Sequence, residues 1–537
     1  MIDGAMQPFA LTLEKFLEHA AKWRSRAEVV TAREDGRVDR IGYADLAARS
    51  RRVSAVLAGL GVGVGDKVAT LAWNTQGHME AWYGAMGMGA VCHTLNPRLT
   101  AEQLAWMAGQ SGARVLIASA DLLPLARRIV ELAPTVERLL VIDGAAEAGA
   151  DSLEALMAEA GEGPAWGGFD ETAPCGLCFT SGTTGAPKGV TYTHRSSFLH
   201  TMRILQTDVM AISGADAVLA VVPMFHANAW GLPFAAPAVG AKLVLPGRNA
   251  DGASLARLIR AEAVTVAVGV PTVWLGLVEH LDATGGEVAS LKRVIVGGAP
   301  MPPALMERLE QRLGVIVQTT WGMTELSPLG TATPAADPER PAAQSGRPAV
   351  GVDLLITDAE GRAFPEQRGV EGHLRVRGAA VVERYFGEMT RATDADGWFP
   401  TGDLARIDEE GNLSITGRAK DLIKSGGEWI NPAEIEAVVG ALPEVSLAAV
   451  IGRPDAKWGE RPVLLVELRE GQVLGDEALL APLRDRVAAW WVPDEVVRVD
   501  KLPLAATGKI DKLRLRAEYG GRSASTPTQV RSPAREG

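Results

Sequence analysis

The chain has 537 residues, which at roughly 100 to 200 residues per domain predicts about three to five folding units and excludes a single small domain. Hydrophobic residues make up 47% and charged residues 22%, close to the globular average, so global disorder is excluded. With 54 Lys plus Arg against 65 Asp plus Glu, the formal charge of -11 argues against general binding of nucleic acid or anionic lipid, although a local basic site can still hold phosphates.

The opening MIDGAMQPFALTLEKF lacks the basic and long apolar regions of a signal peptide, and a cytoplasmic protein is expected. Short β-type runs then alternate with helical patterns. Strands are expected at 68–72, 115–118 and 139–142, and helices at 79–88 and 101–107, the second with Thr100 as its N-cap. Cys92, Cys175 and Cys178 are too few for a disulfide framework, which points to a reducing compartment. Cys175-Gly-Leu-Cys178 sits in an apolar run with no second pair for zinc and reads as two buried strand cysteines.

The alternation recurs with strands at 217–222, 242–245, 265–268 and 294–296 and a helix at 255–262, an α/β pattern. The longest apolar stretch, 229–241, carries Pro233 and Pro237 and is shorter than the roughly 20 residues that span a bilayer, so no transmembrane segment is expected. After about residue 345 the strands shorten, at 353–357, 373–377, 404–407 and 413–416, with Asp408-Glu-Glu-Gly411 as a hairpin turn. Beyond Arg418 come a helix at 432–442, strands at 445–451 and 463–467, and a helix at 476–489. The expected organisation is an α/β N-terminal domain at 1–419 with a β-rich subdomain at about 345–419, a small α+β C-terminal domain at 420–520, and a disordered tail at 521–537 rich in Ser, Thr, Pro, Arg and Gly.

Four segments concentrate chemistry. Phe179-Thr-Ser-Gly-Thr-Thr-Gly-Ala-Pro-Lys-Gly189 combines glycines for close backbone approach, hydroxyl donors and the Lys188 cation, which together suit phosphate oxygens. It is not a Walker A loop, because Pro187 precedes the lysine and Gly189 follows it. Trp321-Gly-Met-Thr-Glu325 places an aromatic, a hydroxyl and a carboxylate within a short span. Thr401-Gly-Asp403 follows a Trp398-Phe-Pro400 turn, and the segment from Gly417 to Trp429 mixes three cations with a glycine pair and acids.

Taken in order with Pro223-Met-Phe-His226 and Leu504-Ala-Ala-Thr-Gly-Lys509, these segments resemble the ANL superfamily of adenylate-forming enzymes, over about residues 40 to 515. The resemblance implies a large adenylation domain with a small mobile lid, and a reaction in two steps. A carboxylate attacks the α-phosphate of ATP to give an acyl-adenylate and pyrophosphate, and a thiol then displaces AMP. By the same resemblance Thr180, Ser181, Gly182, Thr183, Thr184 and Lys188 would cradle the β- and γ-phosphates. Glu325 and Ser181 would hold Mg²⁺, and Thr324 would touch the α-phosphate. Gly298, Ala299, Pro300, Thr319, Thr320 and Gly322 would line the nucleotide site, with Trp321, at a position usually Tyr, stacked on adenine. Asp403 would accept from the ribose hydroxyls, helped by Arg418 and with Lys424 nearby, and Lys509 would bring the last cation from the C-terminal domain. Lys420 matches the hinge, and Gly426, Gly427, Glu428 and Trp429 the channel for CoA.

Amino-acid-activating relatives carry an Asp shortly after the Pro-x-Phe segment, whereas residues 223–234 here contain no acid, and a buried ammonium without a counter-charge would cost several kcal/mol. His226-Ala-Asn-Ala-Trp230, followed by Gly231, resembles medium- and long-chain fatty acyl-CoA synthetases. In this reading Trp230 is either the gate of an acyl tunnel or a core aromatic, and His226 either a wall of the carboxylate pocket or a core histidine. The expected substrates are a small-molecule carboxylic acid, medium- or long-chain, with ATP and CoA. A short thioether or aryl acid and a luciferase-like monooxygenase are the alternatives. Arg453, Lys457 and Arg461 meet the CoA phosphates or form an exposed basic loop. A homodimer is compatible with this reading.

Overall fold

The protein is described from a computed structural model at residues 3–145, 147–180, 187–505 and 509–521. Its internal contacts divide the chain into a larger unit ending at Ile415 and a smaller one beginning at Thr416, so the division falls inside strand Leu413–Arg418, a few residues before Lys420.

The larger unit is built on α/β layers. Its seven-stranded sheet runs, in spatial order, Asp151–Ser152, Arg138–Ile142, Val115–Ser119, Lys67–Leu71, Val91–Thr94, Pro174–Phe179 and Gly189–Thr193. All neighbours are parallel except the last pair. Strand Val115–Ser119 is buried along its whole length, as a parallel strand covered on both faces must be. The helix that feeds it, Ala101–Ser111, begins where expected. The Thr100 hydroxyl accepts from the Gln103 amide and the Gln103 side chain returns to Thr100, a reciprocal cap.

A nine-stranded sheet has a parallel centre, Ile316–Gly322, Arg293–Val296, Val266–Gly269, Ala217–Ala220, Lys242–Leu245 and Glu28–Ala32, with antiparallel strands at both margins. The β-rich portion follows as Val352–Thr357, Glu371–Gly378, Phe399–Ile407 and Leu413–Arg418. Asp408 and Gly411 close the expected turn, with Gly411 N–H donating to the Asp408 carbonyl at 3.1 Å. Cys92, Cys175 and Cys178 are free and buried, and burial pushes the Cys175 thiol up to about 12 and that of Cys178 to about 11. Among the described residues no helix is long and apolar enough to cross a membrane.

In the smaller unit, strands Glu428–Ile430, Ile423–Ser425, Gly459–Leu468 and Val445–Asp455 form a sheet that Glu495–Arg498 joins in parallel. Helix Pro432–Gly440 starts at Asn431, whose side chain accepts from the Ala433 amide. The helix expected at 476–489 is corrected to Asp476–Leu480 followed by a 3₁₀ turn, Ala481–Leu483. Pro482 supplies no amide donor and its ring crowds the preceding turn, which outweighs the apolar spacing. The expected tail lies almost wholly outside the described residues, which end at Gly521.

Four histidines, His78, His93, His194 and His200, are buried in the larger unit. Burial lowers His78 to about 4 and His93 and His194 to about 3, so the fold holds them neutral. The unfolded chain takes up these protons near its ordinary histidine pKa of about 6.5 and the folded chain does not. Stability is therefore complete above that pH and falls on acidification by about 1.4 kcal/mol per pH unit for each such histidine. We expect the urea midpoint to drop steadily as pH is lowered from neutral to about 5. A flat midpoint across that window would contradict the assignment.

Candidate functional site

Strands Pro174–Phe179 and Gly189–Thr193 pair antiparallel at the margin of a parallel sheet. The segment joining them is pinned at its base: Thr180 N–H donates to the Lys188 carbonyl at 2.9 Å, and Lys188 N–H donates to Thr180 Oγ1 at 3.1 Å. Ser181, Gly182, Thr183 and Thr184 lie outside the described residues. Lys188 Nζ stands 4.5 Å over the ring of Tyr385, and the Tyr385 hydroxyl donates to Glu325 Oε1 at 2.9 Å. Burial and the Glu325 charge push the Tyr385 phenol up, so it stays a donor. Thr324 and Glu325 belong to a short 3₁₀ turn, Thr324–Leu326, tied down by Tyr192 Oη donating to the Thr324 carbonyl at 2.9 Å and by Val382 N–H donating to the Glu325 carbonyl at 2.8 Å. A cation, a hydroxyl and a carboxylate from three remote segments thus meet.

Strand Ile316–Gly322 positions the next group. Thr319 Oγ1 donates to the Gln344 carbonyl at 2.6 Å and Thr320 Oγ1 to the Val296 carbonyl at 3.0 Å. Trp321 Nε1 donates to Asp403 Oδ2 at 3.0 Å, both side chains being buried. The indole packs so closely on Gly330 that a Cβ there would come within 2.5 Å of it. Trp321 thereby orients Asp403, a task beyond that of the expected aromatic platform. Asp403 is also set by its own amide, which donates to Thr401 Oγ1 at 3.1 Å.

The segment after His226 takes an unusual path. Ala227, Asn228, Ala229 and Trp230 have φ of 44°, 53°, 46° and 53°, and Gly231 follows at 80°, a turn of left-handed helix. Such a conformation costs L-residues roughly 1–2 kcal/mol each and persists only where the surroundings hold it. It lays Trp230 against Gly297 and Gly298. A Cβ at Gly297 would stand 3.0 Å from the indole and 2.3 Å from Thr320 Oγ1, so only glycine permits this approach. Ala299 and Pro300 continue the same loop. Gly231 rests on His200 and Ile204 of helix His194–Ile204, and His200 Nε2 accepts from the Leu329 amide at 3.2 Å.

The remaining expected residues belong to the smaller unit. Arg418 ends strand Leu413–Arg418, and Lys420 lies in the 3₁₀ turn Ala419–Asp421. Lys424 Nζ lies 5.3 Å over the Trp429 ring, and Lys424 N–H donates to Glu460 Oε2 at 2.9 Å. Gly426 and Gly427, with φ of 62° and 92°, form the two-residue turn between Ser425 and Glu428, which requires positive φ at both positions. Arg453 and Arg461 are engaged by Glu495 and Asp494, each with a contact at 2.6 Å, and Lys457 lies over Trp458. Lys509 is exposed, and its carbonyl accepts from the Ala505 amide at 2.6 Å. Thr507 and Gly508 are outside the described residues.

Tyr385, His200 and Arg203 escape the sequence reading. Tyr385 lies 60 residues from Glu325 in an irregular loop, where no spacing marks it, and the helix pattern of 194–204 does not say which polar residues turn inward.

Residues 16–386 match the model of the AMP-binding enzyme family, and residues 434–509 match the AMP-binding enzyme C-terminal domain. The chain is 41% identical over 531 residues to a 3-methylmercaptopropionyl-CoA ligase of Ruegeria lacuscaerulensis, covering 96% of this chain and 98% of that one. It is equally 41% identical over 532 residues to a medium-chain-fatty-acid–CoA ligase of Ectopseudomonas oleovorans, covering 96% and 97%. Among solved structures, an anthranilate CoA ligase in complex with anthranoyl-AMP superposes with a TM-score of 0.86 at 26% identity, covering 96% of this chain and 98% of that one.

Trp321→Phe keeps an aromatic ring but deletes the donor to Asp403. A hydrogen bond to a charged acceptor contributes about 1.5–3 kcal/mol, so equilibrium unfolding should shift by that amount. An unchanged midpoint would mean that other partners hold Asp403.

Proposed function

The chain belongs to the AMP-binding enzyme family and is an AMP-forming acid–CoA ligase, and we propose that it activates a carboxylic acid with an aliphatic chain. The observation that carries this reading is the acid-free segment 223–234, whose left-handed turn lays Trp230 on Gly297 and Gly298 beside Thr320. This segment offers apolar surface to a chain and no carboxylate to an ammonium. A short thioether acid is the second reading, favoured by the identity shared with the Ruegeria ligase. Three free buried thiols support a reducing, cytoplasmic location.

ATP and CoA are substrates. Attack of one anion on a polyanion demands that charge developing on the phosphates be neutralised in place. Lys188, pinned at the loop base, supplies one cation, and Lys509 from the smaller unit is assigned as the other. The hard carboxylate oxygen of Glu325, oriented by Tyr385, suits Mg²⁺, and Glu325 with Ser181 would hold the ion. When bound there, the ion would supply positive charge that offsets the charge developing on the phosphates. Thr324 would steady that phosphate, Asp403 the ribose, and the strand from Thr319 to Gly322 with Gly298, Ala299 and Pro300 the base. After pyrophosphate leaves, rotation about Lys420 would withdraw Lys509 and bring the turn at Gly426 and Gly427, with Glu428 and Trp429, to the CoA thiol. Arg418 and Lys424 flank that hinge.

Lys509→Ala should abolish acid-dependent pyrophosphate release yet leave CoA transfer from supplied acyl-adenylate largely intact. Equal loss of both half-reactions in single-turnover experiments would refute the role.

Trp230 is read as a gate because its backbone is strained, and a strained turn can relax when the chain enters. Trp230→Ala should alter the ranking of acids by kcat/KM while leaving the KM for ATP near its original value. A variant that loses about 3–5 kcal/mol of stability with an unchanged ranking would mark a core tryptophan instead.

A further inference from the structure

Every N–H of the Arg461 guanidinium is occupied within the smaller unit. Nε donates to Asp494 Oδ2 at 2.6 Å and Nη2 to Oδ1 of the same carboxylate at 2.8 Å. Nη2 also donates to the Val492 carbonyl at 3.3 Å, and Nη1 donates to the Trp490 carbonyl at 2.7 Å and to Ser425 Oγ at 3.2 Å. A guanidinium has five N–H donors in a fixed fork, and these bonds use all of them. Arg461 is therefore neither an exposed basic group nor one with donors left for a CoA phosphate.

The sheet explains what the side chain joins. Strand Gly459–Leu468 pairs along its whole length with Val445–Asp455 on one edge. Its other edge is shared by two strands placed end to end. Ile423–Ser425 reaches it only through Ser425 opposite Gly459, and Glu495–Arg498 only from Glu495 opposite Val463 onward. Arg461 lies between those two registers, in the gap where the edge has no strand. Its side chain closes the gap, with Ser425 on one side and the segment from Trp490 to Asp494 on the other.

Ser425 is buried and directly precedes the Gly426-Gly427 turn. That turn, with positive φ at both glycines, has little intrinsic rigidity and takes its position from its attachments. Gly426 N–H donates to the Trp458 carbonyl at 2.7 Å and Lys424 N–H to Glu460 Oε2 at 2.9 Å. The bond from Arg461 to Ser425 is the contact that ties the turn beyond its neighbouring strand, to the Trp490–Asp494 segment.

We propose that Arg461 is a positioning residue for the thioester-forming half-reaction, holding the Gly426-Gly427 turn through Ser425 without touching CoA itself. The assignment rests on the reading of that turn as the approach for the CoA thiol and deepens it.

The test supplies acyl-adenylate to the enzyme and follows a single turnover over a range of CoA concentrations, with acid-dependent pyrophosphate release measured separately. Arg461→Met should lower the maximal transfer rate by about tenfold or more, as a small misplacement of a reacting group does, while the half-saturating CoA concentration and pyrophosphate release stay within about twofold of wild type. Ser425→Ala deletes only the acceptor and leaves the fork on Asp494. It should lower the same rate, should add little further loss to Arg461→Met because both remove one bond, and carries the test should the methionine variant not fold. A raised half-saturating CoA concentration with an unchanged maximal rate would mark a phosphate contact and overturn the proposal. Equal loss of both half-reactions, or full additivity of the two substitutions, would overturn it too. Gly427→Val separates the underlying reading: if it transfers the acyl group at the wild-type rate, the turn does not serve the thiol step, whereas blocked transfer in Gly427→Val beside normal transfer in the Arg461 and Ser425 variants overturns the role of Arg461 alone.

Discussion

A carboxylate taken almost out of water must be given donors, and the larger unit is arranged around that requirement at Glu325. One donor is Tyr385, whose ring also carries the Lys188 ammonium. The three come from a strand hairpin, a 3₁₀ turn and an irregular loop, and backbone bonds lock those segments together. Phe386 N–H donates to the Gly189 carbonyl and Val382 N–H to the Glu325 carbonyl, each at 2.8 Å. The phenol thus touches both charges, its ring the Lys188 ammonium and its hydroxyl the Glu325 carboxylate.

The acyl side answers to a different constraint, close packing rather than charge. The left-handed turn from Ala227 to Trp230 is tolerable only because its product, an indole against Gly297 and Gly298, is well packed and because Gly231 lets the chain leave with positive φ onto His200. Helix His194–Ile204 then links the two sides. It starts at a Thr193 cap directly after the strand that leaves Lys188, and its far half brings His200 against Gly231 and the Leu329 amide. A single helix therefore runs from the strand beside Lys188 to the end of the Trp230 turn.

Much of this was legible beforehand because it is local. The Thr100 cap, the valine- and alanine-rich parallel strands, the buried cysteines and the Asp408–Gly411 turn each follow from residues within a few positions of one another, where backbone sterics and periodicity act directly. Pro482 belonged to the same class, and overlooking it is why the helix at 476–489 was drawn too long.

What the sequence by itself determined is the set of chemical groups and their order: the Gly- and Thr-rich segment ending in Lys188, the Glu325 carboxylate, Asp403, and a segment at 223–234 without an acid. What only the tertiary structure decided is how those groups are held and which further ones join them. Trp321 and Asp403 are 82 residues apart, and Tyr385 and Glu325 are 60 apart. Nothing in the spelling of Ala-Asn-Ala-Trp announces four consecutive positive φ angles, because no residue there prefers them and only the surrounding packing imposes them. Arg203 is an ordinary surface-type residue in the sequence. The fold nonetheless turns it inward, a property of long-range packing that no local pattern encodes.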